Sequence, residues 1–125
     1  MTPGLPLVQG DRVQLQQVLL NLIMNGLEAM AKQSIDNRRL TVRTGLSGDG
    51  QVEVSVADSG PGIDAQSLPR VFEPFFTTKP NGIGMGLAIC RKILEAHHGR
   101  IWGENAPGGG AVFRFSLPAA ENGAE

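Results

Sequence analysis

The sequence is poor in cysteine and has no excess of basic charge. Cys90 is the single cysteine among 125 residues, so no intramolecular disulfide can form, and this usage fits a reducing compartment. Because Cys90 lies in an apolar helical pattern, we interpret it as a small core residue. The formal net charge of −1 leaves no positive field to attract nucleic acid or an anionic membrane. Any phosphate ligand must therefore be bound by local groups.

Long apolar runs are also missing. Asn21, Asn25 and Gly26 interrupt the most apolar stretch, and the opening MTPGLPLVQGD lacks the charged start and apolar core of a signal peptide. The sequence thus predicts a cytoplasmic domain without membrane contact, whatever anchor a longer parent protein carries. We expect one domain over residues 1–118, without internal repeats, and a disordered tail over 119–125.

Short strands and helices alternate along the chain. A helix is predicted from its N-cap Asp11 to about Lys32, with apolar residues on its core face at 15, 18, 19, 22, 23, 27 and 30. A second helix follows the glycines of GIGMG and ends at Gly99. Strands are predicted at 5–8, 40–44, 52–57, 100–104 and 111–117. This order predicts an α+β fold, a two-layer α/β sandwich with helices on one face of a mixed, mostly antiparallel sheet.

Polar residues form a narrow stripe on the first predicted helix. At about 100° per residue, the stripe contains Gln14, Gln17, Asn21, Asn25, Glu28 and Lys32. No charged residue occurs between Val13 and Leu27, although a solvent face favours charge, so the stripe is either an unusual solvent face or the border of a cavity. In a cavity, an amide oxygen can ligate a hard cation such as Mg²⁺ and an amide nitrogen can donate to a phosphate oxygen. Gly26 would permit close packing near such a ligand.

Two glycine-rich loops follow. In VSVADSGPGI, Asp58 ends a strand before Gly60 and Gly62, and its carboxylate can accept a hydrogen bond from an exocyclic amine. The alternative is plain turn chemistry. In NGIGMGLAI, backbone N–H groups before a helix can face phosphate oxygens, and the glycines there are Gly82, Gly84 and Gly86. The spacing matches neither a dinucleotide-binding fingerprint nor a P-loop.

An aromatic segment, FEPFFTTKP, lies between the loops. It contains three of the five phenylalanines, Phe72, Phe75 and Phe76. An aromatic cluster in a turn-rich segment can anchor a mobile lid or form a small satellite core, and the two interpretations are compatible. Lys79 could reach terminal phosphates as a point charge, or it could be an exposed lysine without a role.

Together these motifs resemble the N, G1, F and G2 boxes of sensor histidine kinases. The matching segments are residues 21–30, DSGPGI, FEPFFTTK and GIGMGLAI, in that order. The closing EAHHGRIWGENAPGGGAVFRFSLP resembles the nitrogen-regulation and oxygen-sensing types in particular. The resemblance runs from about residue 5 to residue 117. It implies the Bergerat-type ATP-binding sandwich shared with gyrase, heat-shock chaperone ATPases and mismatch-repair ATPases.

The resemblance implies a role for each matching position. Asn25 would ligate Mg²⁺, Asn21 would help hold the phosphates of ATP or ADP, and Asp58 would bind the adenine amino group. Further nucleotide contacts are implied for Gly60, Gly62, Ile63, Phe72, Thr78, Lys79, Gly82, Ile83, Gly84, Met85, Gly86 and Leu87. Residues near 74–83 would form a lid, which is short here. Position 83 is Ile where many relatives carry Thr or Ser, so a hydroxyl contact to phosphate is lost.

The implied activity is transfer of the γ-phosphoryl group to a histidine on a separate dimerisation and phosphoacceptor domain, with a response regulator downstream. Related ATPases place a general-base glutamate where this chain has Asn21, and an amide cannot act as a base at neutral pH. Glu28 lies on the same stripe, but the family pattern does not support it as a substitute. Transfer is therefore favoured over an ATP hydrolase. The four intact boxes also favour it over a regulatory nucleotide-binding module that has lost transfer, although only an acceptor domain added in trans would separate these two.

The two histidines of the chain do not match the phosphoacceptor. His97 and His98 precede Gly99 at the end of the last predicted helix, where they are expected to cap its carbonyls or to lie on the surface. The isolated chain is therefore expected to be a monomer that does not phosphorylate itself. We also expect its sheet to lack the edge strand that usually precedes LPLVQGD in relatives.

Overall fold

The computed structural model describes residues 12–48, 50–74 and 86–118. Within these ranges the elements are α1 (Arg12–Ala29), β1 (Leu40–Leu46), β2 (Gln51–Asp58), α2 (Gly86–Ala96), β3 (Arg100–Asn105) and β4 (Ala111–Pro118). Two short 3₁₀ turns lie at Ile35–Asn37 and Leu68–Arg70. The strand predicted at 5–8, most of the predicted lid and the predicted tail lie outside the described residues.

The four strands form one sheet in the order β1-β2-β4-β3. Leu40 pairs with Asp58, Val56 with Phe113, and Ile101 with Phe115. The α+β sandwich predicted from the sequence is confirmed, as is the hairpin of β1 and β2. The sheet is not mixed within the described ranges, because every pairing there is antiparallel.

The core lies between the sheet and the two helices. Along β2 the side chains alternate, with Val52, Val54 and Val56 buried and their neighbours more accessible, as expected for a strand with one covered face. The buried cluster contains Val18, Leu22, Val54, Val56, Cys90, Ile93, Leu94, Ala111, Phe113, Phe115 and Leu117. Cys90 is fully buried, as the sequence predicted. Neither helix of the described part has the length and apolarity needed to cross a bilayer.

Helix α1 is shorter than predicted and does not bury every apolar residue. It ends at Ala29 rather than near Lys32, because the Arg38 guanidinium donates to the Ala31 carbonyl at 2.9 Å and supports a change of chain direction. Leu27, which we predicted in the core, is 44% exposed. Five residues beyond the buried Leu22, it is rotated by about 140° around the helix and therefore points away from the sheet.

Helix α2 ends in a capped turn. The Gly99 N–H donates to the Leu94 carbonyl at 2.7 Å, and His98 adopts a left-handed conformation with φ of 63°, which is typical of a Schellman C-cap. His97 Nδ1 lies 2.7 Å from the Ile93 carbonyl oxygen. The prediction that the two histidines cap this terminus or lie on the surface is therefore confirmed, since His97 contacts a helix carbonyl and His98 is exposed.

Candidate functional site

The middle of the polar stripe lies where α1 meets α2. Asn21 and Asn25 are half-buried, and the Asn21 Nδ2 group donates to the Cys90 Sγ atom on α2 at 3.6 Å. The ends of the stripe are exposed: Gln14, Gln17, Glu28 and Lys32. The solvent-face interpretation therefore holds for the ends, and only the two asparagines fit the border of a cavity.

Asp58 is the last residue of β2 and is 8% exposed. Its Oδ1 atom accepts hydrogen bonds from the backbone N–H groups of Gly60 at 2.8 Å and Ala111 at 3.4 Å. Its Oδ2 atom accepts none from any described residue and points toward α1, 3.9 Å from where a Cβ at Gly26 would lie. A carboxylate oxygen in so enclosed a place has hydrogen-bonding capacity left for a ligand.

Gly26 explains how α1 can approach this carboxylate. A Cβ at this position would lie 2.6 Å from Leu40 Cδ1 and 3.5 Å from the Asp58 Cβ, so an alanine would require the Leu40 side chain to move. A glycine costs a helix about 1 kcal/mol relative to alanine. The close approach of helix and carboxylate offsets that cost and explains the glycine three residues before the end of α1.

The loop after Asp58 is fixed on one side by Ser59. Its hydroxyl donates to the Asn37 carbonyl and accepts from the Arg39 N–H, both at 2.9 Å. Its backbone N–H points to the Met30 Sδ atom at 3.4 Å. These contacts tie the start of the loop to the segment that follows α1.

Asn105, at the end of β3, fixes the other side of the same loop. Its Oδ1 accepts from the Ile63 N–H at 2.8 Å, and its Nδ2 donates to the Ile63 carbonyl at 2.7 Å. Gly62 precedes this pair with φ of 82°, and a Cβ there would lie 2.8 Å from Asn105 Oδ1. Asn105 was not predicted from the sequence, because an asparagine shortly before Pro and Gly is typical of any turn and its partner lies in a distant motif.

The remaining predicted residues divide into three groups. Phe72 packs edge-on against Phe113 with ring centroids 6.0 Å apart, so it belongs to a satellite of the core. Ile63 and Leu87 are also packed against the core. Gly86 is exposed at the first turn of α2. The other predicted residues lie outside the described ranges: Phe75, Phe76, Thr78, Lys79, Gly82, Ile83, Gly84 and Met85.

The segment that follows the loop is held by an aspartate. Asp64 Oδ1 accepts from the Ser67 N–H at 2.9 Å, and Oδ2 accepts from the Ser67 hydroxyl at 3.0 Å. The backbone hydrogen bond from Ser67 lowers the pKa of Asp64, which is exposed. In the described ranges, no group of three or more His, Cys, Asp or Glu side chains is placed to hold a metal ion.

A groove of about 180 Å³ lies on the outer face of the sheet, lined in part by Arg43, Glu53 and Arg114. Arg114 forms ion pairs there with Glu53 at 3.6 Å and Glu104 at 2.6 Å. Glu53 and Asp58 lie on opposite faces of β2, because they are an odd number of residues apart. The groove is therefore separate from the site around Asp58.

The chain is similar in sequence to proteins of one family. A profile described as histidine kinase-, DNA gyrase B- and HSP90-like ATPase matches residues 10–121. The sensor protein FixL of Bradyrhizobium diazoefficiens is 50% identical over 121 residues, which are 97% of this chain and 24% of FixL. The sensor histidine kinase ZraS of Klebsiella oxytoca is 47% identical over 116 residues, 93% of this chain and 24% of ZraS. The chain thus spans about a quarter of the length of these relatives.

Solved structures share the fold. A nucleotide-free catalytic domain of the histidine kinase ThkA superposes with a TM-score of 0.76 and 41% identity, covering 93% of this chain and 73% of that domain. Full-length ShkA in complex with AMPPNP gives a TM-score of 0.78 at 33% identity, covering 93% of this chain and 24% of ShkA. The sheet and helices described above are therefore those of histidine kinase catalytic domains.

Proposed function

Because the chain belongs to the histidine kinase-, DNA gyrase B- and HSP90-like ATPase family, we propose that it binds Mg-ATP and, within a longer cytoplasmic protein, transfers the γ-phosphoryl group to a histidine of a separate domain. The observation that carries this proposal is the enclosed Asp58 carboxylate, whose Oδ2 has no donor among the described residues and lies under Gly26. An adenine amino group supplies the missing donor. Gly60, Gly62 and Ile63 belong to the loop beside it.

The two asparagines of α1 fit a magnesium ion. Mg²⁺ usually keeps several waters and takes one or two protein oxygens beside substrate phosphates, and Asn21 and Asn25 offer neutral oxygens in half-buried positions. Asn25 is the proposed metal ligand, and Asn21 lies one turn earlier on the same side of α1. Bound Mg²⁺ would offset the negative charge that must be accommodated during phosphoryl transfer.

The first turn of α2 is the proposed phosphate-binding element. The N–H groups at the start of a helix have no partners within it, and the helix dipole favours an anion there. Gly86, the first residue of this turn, is exposed, and a Cβ there would meet no described atom within 4 Å. We propose that residues 82–87, with Thr78 and Lys79, contact the phosphates and that residues 74–83 cover them as a lid.

The residues of α1 favour transfer over hydrolysis. Hydrolysis needs a base that activates water, and the half-buried Asn21 cannot accept a proton at neutral pH. Glu28 lies about one turn after Asn25 and is exposed. The acceptor histidine would come from the dimerisation domain of the parent protein, and a response regulator would take the phosphoryl group from it.

Adding a phosphoacceptor domain in trans tests this proposal. With ATP labelled at the γ-phosphate, we expect label on the acceptor only when both proteins are present, and none on this chain alone. Release of free phosphate without labelled acceptor would instead identify a hydrolase. Nucleotide binding with neither product would identify a regulatory module. In both of these cases the proposed transfer is wrong.

An Asn25→Ala variant is expected to lose most of the gain in ADP affinity that Mg²⁺ provides. Alanine leaves no oxygen for the cation, whereas the contacts to the base remain, so metal-free binding should be unchanged. Calorimetric titration of ADP with and without Mg²⁺ measures the two affinities separately. Gln14→Ala, an exposed position on the same helix, is the control. An equal loss with and without Mg²⁺ would exclude Asn25 as a metal ligand.

Asn105→Asp is expected to weaken ADP binding by roughly fivefold to tenfold, since one paired hydrogen bond is replaced by repulsion between the new oxygen and the Ile63 carbonyl. The acceptor for the Ile63 N–H is kept, so the fold should remain. ADP titration measures the affinity, and circular dichroism measures whether the fold is kept. Asn37→Ala is the control, because the loop uses only the backbone carbonyl of that residue. Unchanged affinity in Asn105→Asp would show that nucleotide binding does not depend on the pair of hydrogen bonds between Asn105 and Ile63.

A further inference from the structure

The buried thiol of Cys90 contacts two successive turns of α1. Its Sγ atom lies 3.6 Å from Asn21 Nδ2 and 3.9 Å from the Val18 carbonyl oxygen. Cys90 is on α2 and has no exposed surface, whereas Asn21 is half-buried at the edge of the candidate site. The thiol therefore joins the core to a side chain that borders the site.

The chemical groups involved decide which atom donates and which accepts in these contacts. The thiol donates to the Val18 carbonyl oxygen, which lies 3.9 Å from the sulfur. The Asn21 Nδ2 group has no acceptor lone pair, so in its contact with the sulfur at 3.6 Å the amide nitrogen is the donor. The sulfur lone pairs then face Asn21 and accept from its amide nitrogen.

This arrangement determines which atom Asn21 turns toward the site. With Nδ2 directed to the sulfur, Oδ1 lies on the opposite branch of the carboxamide. Oδ1 accepts no hydrogen bond from a described residue, and it is not among the buried atoms that lack partners in these ranges, which are Gln33 Oε1 and Ser116 Oγ. It is therefore open to solvent or to a ligand.

We propose that Cys90 is a positioning residue that holds the Asn21 carboxamide with its oxygen toward the nucleotide site. Asn21 then serves Mg²⁺ or a water bound to it, not a phosphate oxygen, which would require the amide nitrogen. This inference rests on the proposed nucleotide binding. It replaces the donor role that the family resemblance implied for Asn21.

The alternative is that Cys90 only fills space in the core, as buried cysteines commonly do. Three variants separate the two roles. Cys90→Ser keeps a small acceptor for Nδ2, Cys90→Ala removes it, and Ile93→Val reduces packing on the same helix without touching Asn21. ADP affinity is measured for each with Mg²⁺ and with EDTA.

We expect Cys90→Ala to weaken Mg-ADP binding about fivefold, comparable to one hydrogen bond, and to leave metal-free binding unchanged. Cys90→Ser should remain within about twofold of the original chain, because its hydroxyl can accept from the amide. Ile93→Val should change thermal stability alone. Equal losses with Mg²⁺ and with EDTA in both cysteine variants would show a packing role and overturn the proposal.

The orientation of the amide can be tested without nucleotide. The side-chain amide resonances of Asn21, identified by their absence in Asn21→Asp, should shift in Cys90→Ala and stay near their original position in Cys90→Ser. Asn21→Asp should lose less Mg-ADP affinity than Asn21→Ala, since it keeps an oxygen toward the metal. A loss of more than about tenfold with and without Mg²⁺ would assign a phosphate-donating nitrogen instead.

The controls distinguish this inference from the proposed function. If the original chain binds no ADP under any condition, the proposed function fails. If the original chain binds Mg-ADP normally while Cys90→Ala neither changes that affinity nor moves the Asn21 resonances, only the positioning role is wrong.

Discussion

Asp58→Asn is expected to bind ADP at least about tenfold more weakly than the original chain while binding IDP at least as well. The backbone donors of Gly60 and Ala111 both face Oδ1, so the new amide must keep its oxygen there and turn its nitrogen toward the site. That nitrogen would face the exocyclic amine of adenine, so two donors would meet. In IDP the base is hypoxanthine, which has an oxygen in place of the amine, and the nitrogen can donate to it. An unsatisfied buried donor costs about 1–3 kcal/mol.

Competition between ADP and IDP for the same protein sample measures the ratio of the two affinities, which the substitution is expected to shift toward IDP. Asp36→Asn, a change of charge at an exposed position, is the matched control and should leave the ratio of affinities unaltered. Thermal unfolding should show that Asp58→Asn remains folded, since Oδ1 keeps both donors. Equal loss of ADP and IDP, or no loss of either, would mean that Asp58 does not contact the base at its amino group.

Gly110→Ala is expected to destabilise the domain by about 3 kcal/mol or more, the sum of backbone strain and overpacking. Gly110 has φ of 83°, and a Cβ on it would overlap the carbonyl oxygen of Asp58. This is the place where the turn before β4 crosses the end of β2, so neither backbone can retreat without breaking the ladder. Nucleotide affinity should fall as well, because Asp58 belongs to the contact.

The same turn provides graded controls. Gly109 has φ of 107° but open space around it, and Gly108 has neither a positive φ nor a neighbour within 4 Å. We therefore expect a loss of about 1 kcal/mol for Gly109→Ala, from backbone strain alone, and almost none for Gly108→Ala. Denaturant unfolding of the three variants measures the series. Equal stability of all three would contradict the close contact at Gly110.

Periodicity was sufficient to predict most of the fold. The apolar alternation of β2 and the helical spacing around Val18 and Leu22 depend only on local geometry, and the structure has both elements nearly where the pattern put them. Leu27 was misplaced because a half-turn of helix can look apolar without facing the sheet. The end of α1 depended on Arg38, and no periodic signal contains such a contact.

The candidate site was predictable where each motif carries its own chemistry. Asp58 with its glycines and the asparagines of α1 were predicted from residue type and spacing, and the close approach at Gly26 brings α1 beside the Asp58 carboxylate. Asn105 and the contact of Cys90 with Asn21 could not be found in this way. Each joins residues far apart in the chain through hydrogen bonds, so they are visible only after the strands and helices have packed.

The position of β4 has a consequence for biosynthesis. β4 is the last described strand in the chain, yet it lies between β2 and β3 in the sheet. Neither β2 nor β3 can pair with it until it has been synthesised. While the polypeptide is still being made, the edge of β2 that pairs with β4 therefore has no partner strand. The four-stranded sheet can close only after residues 111–118 have emerged from the ribosome.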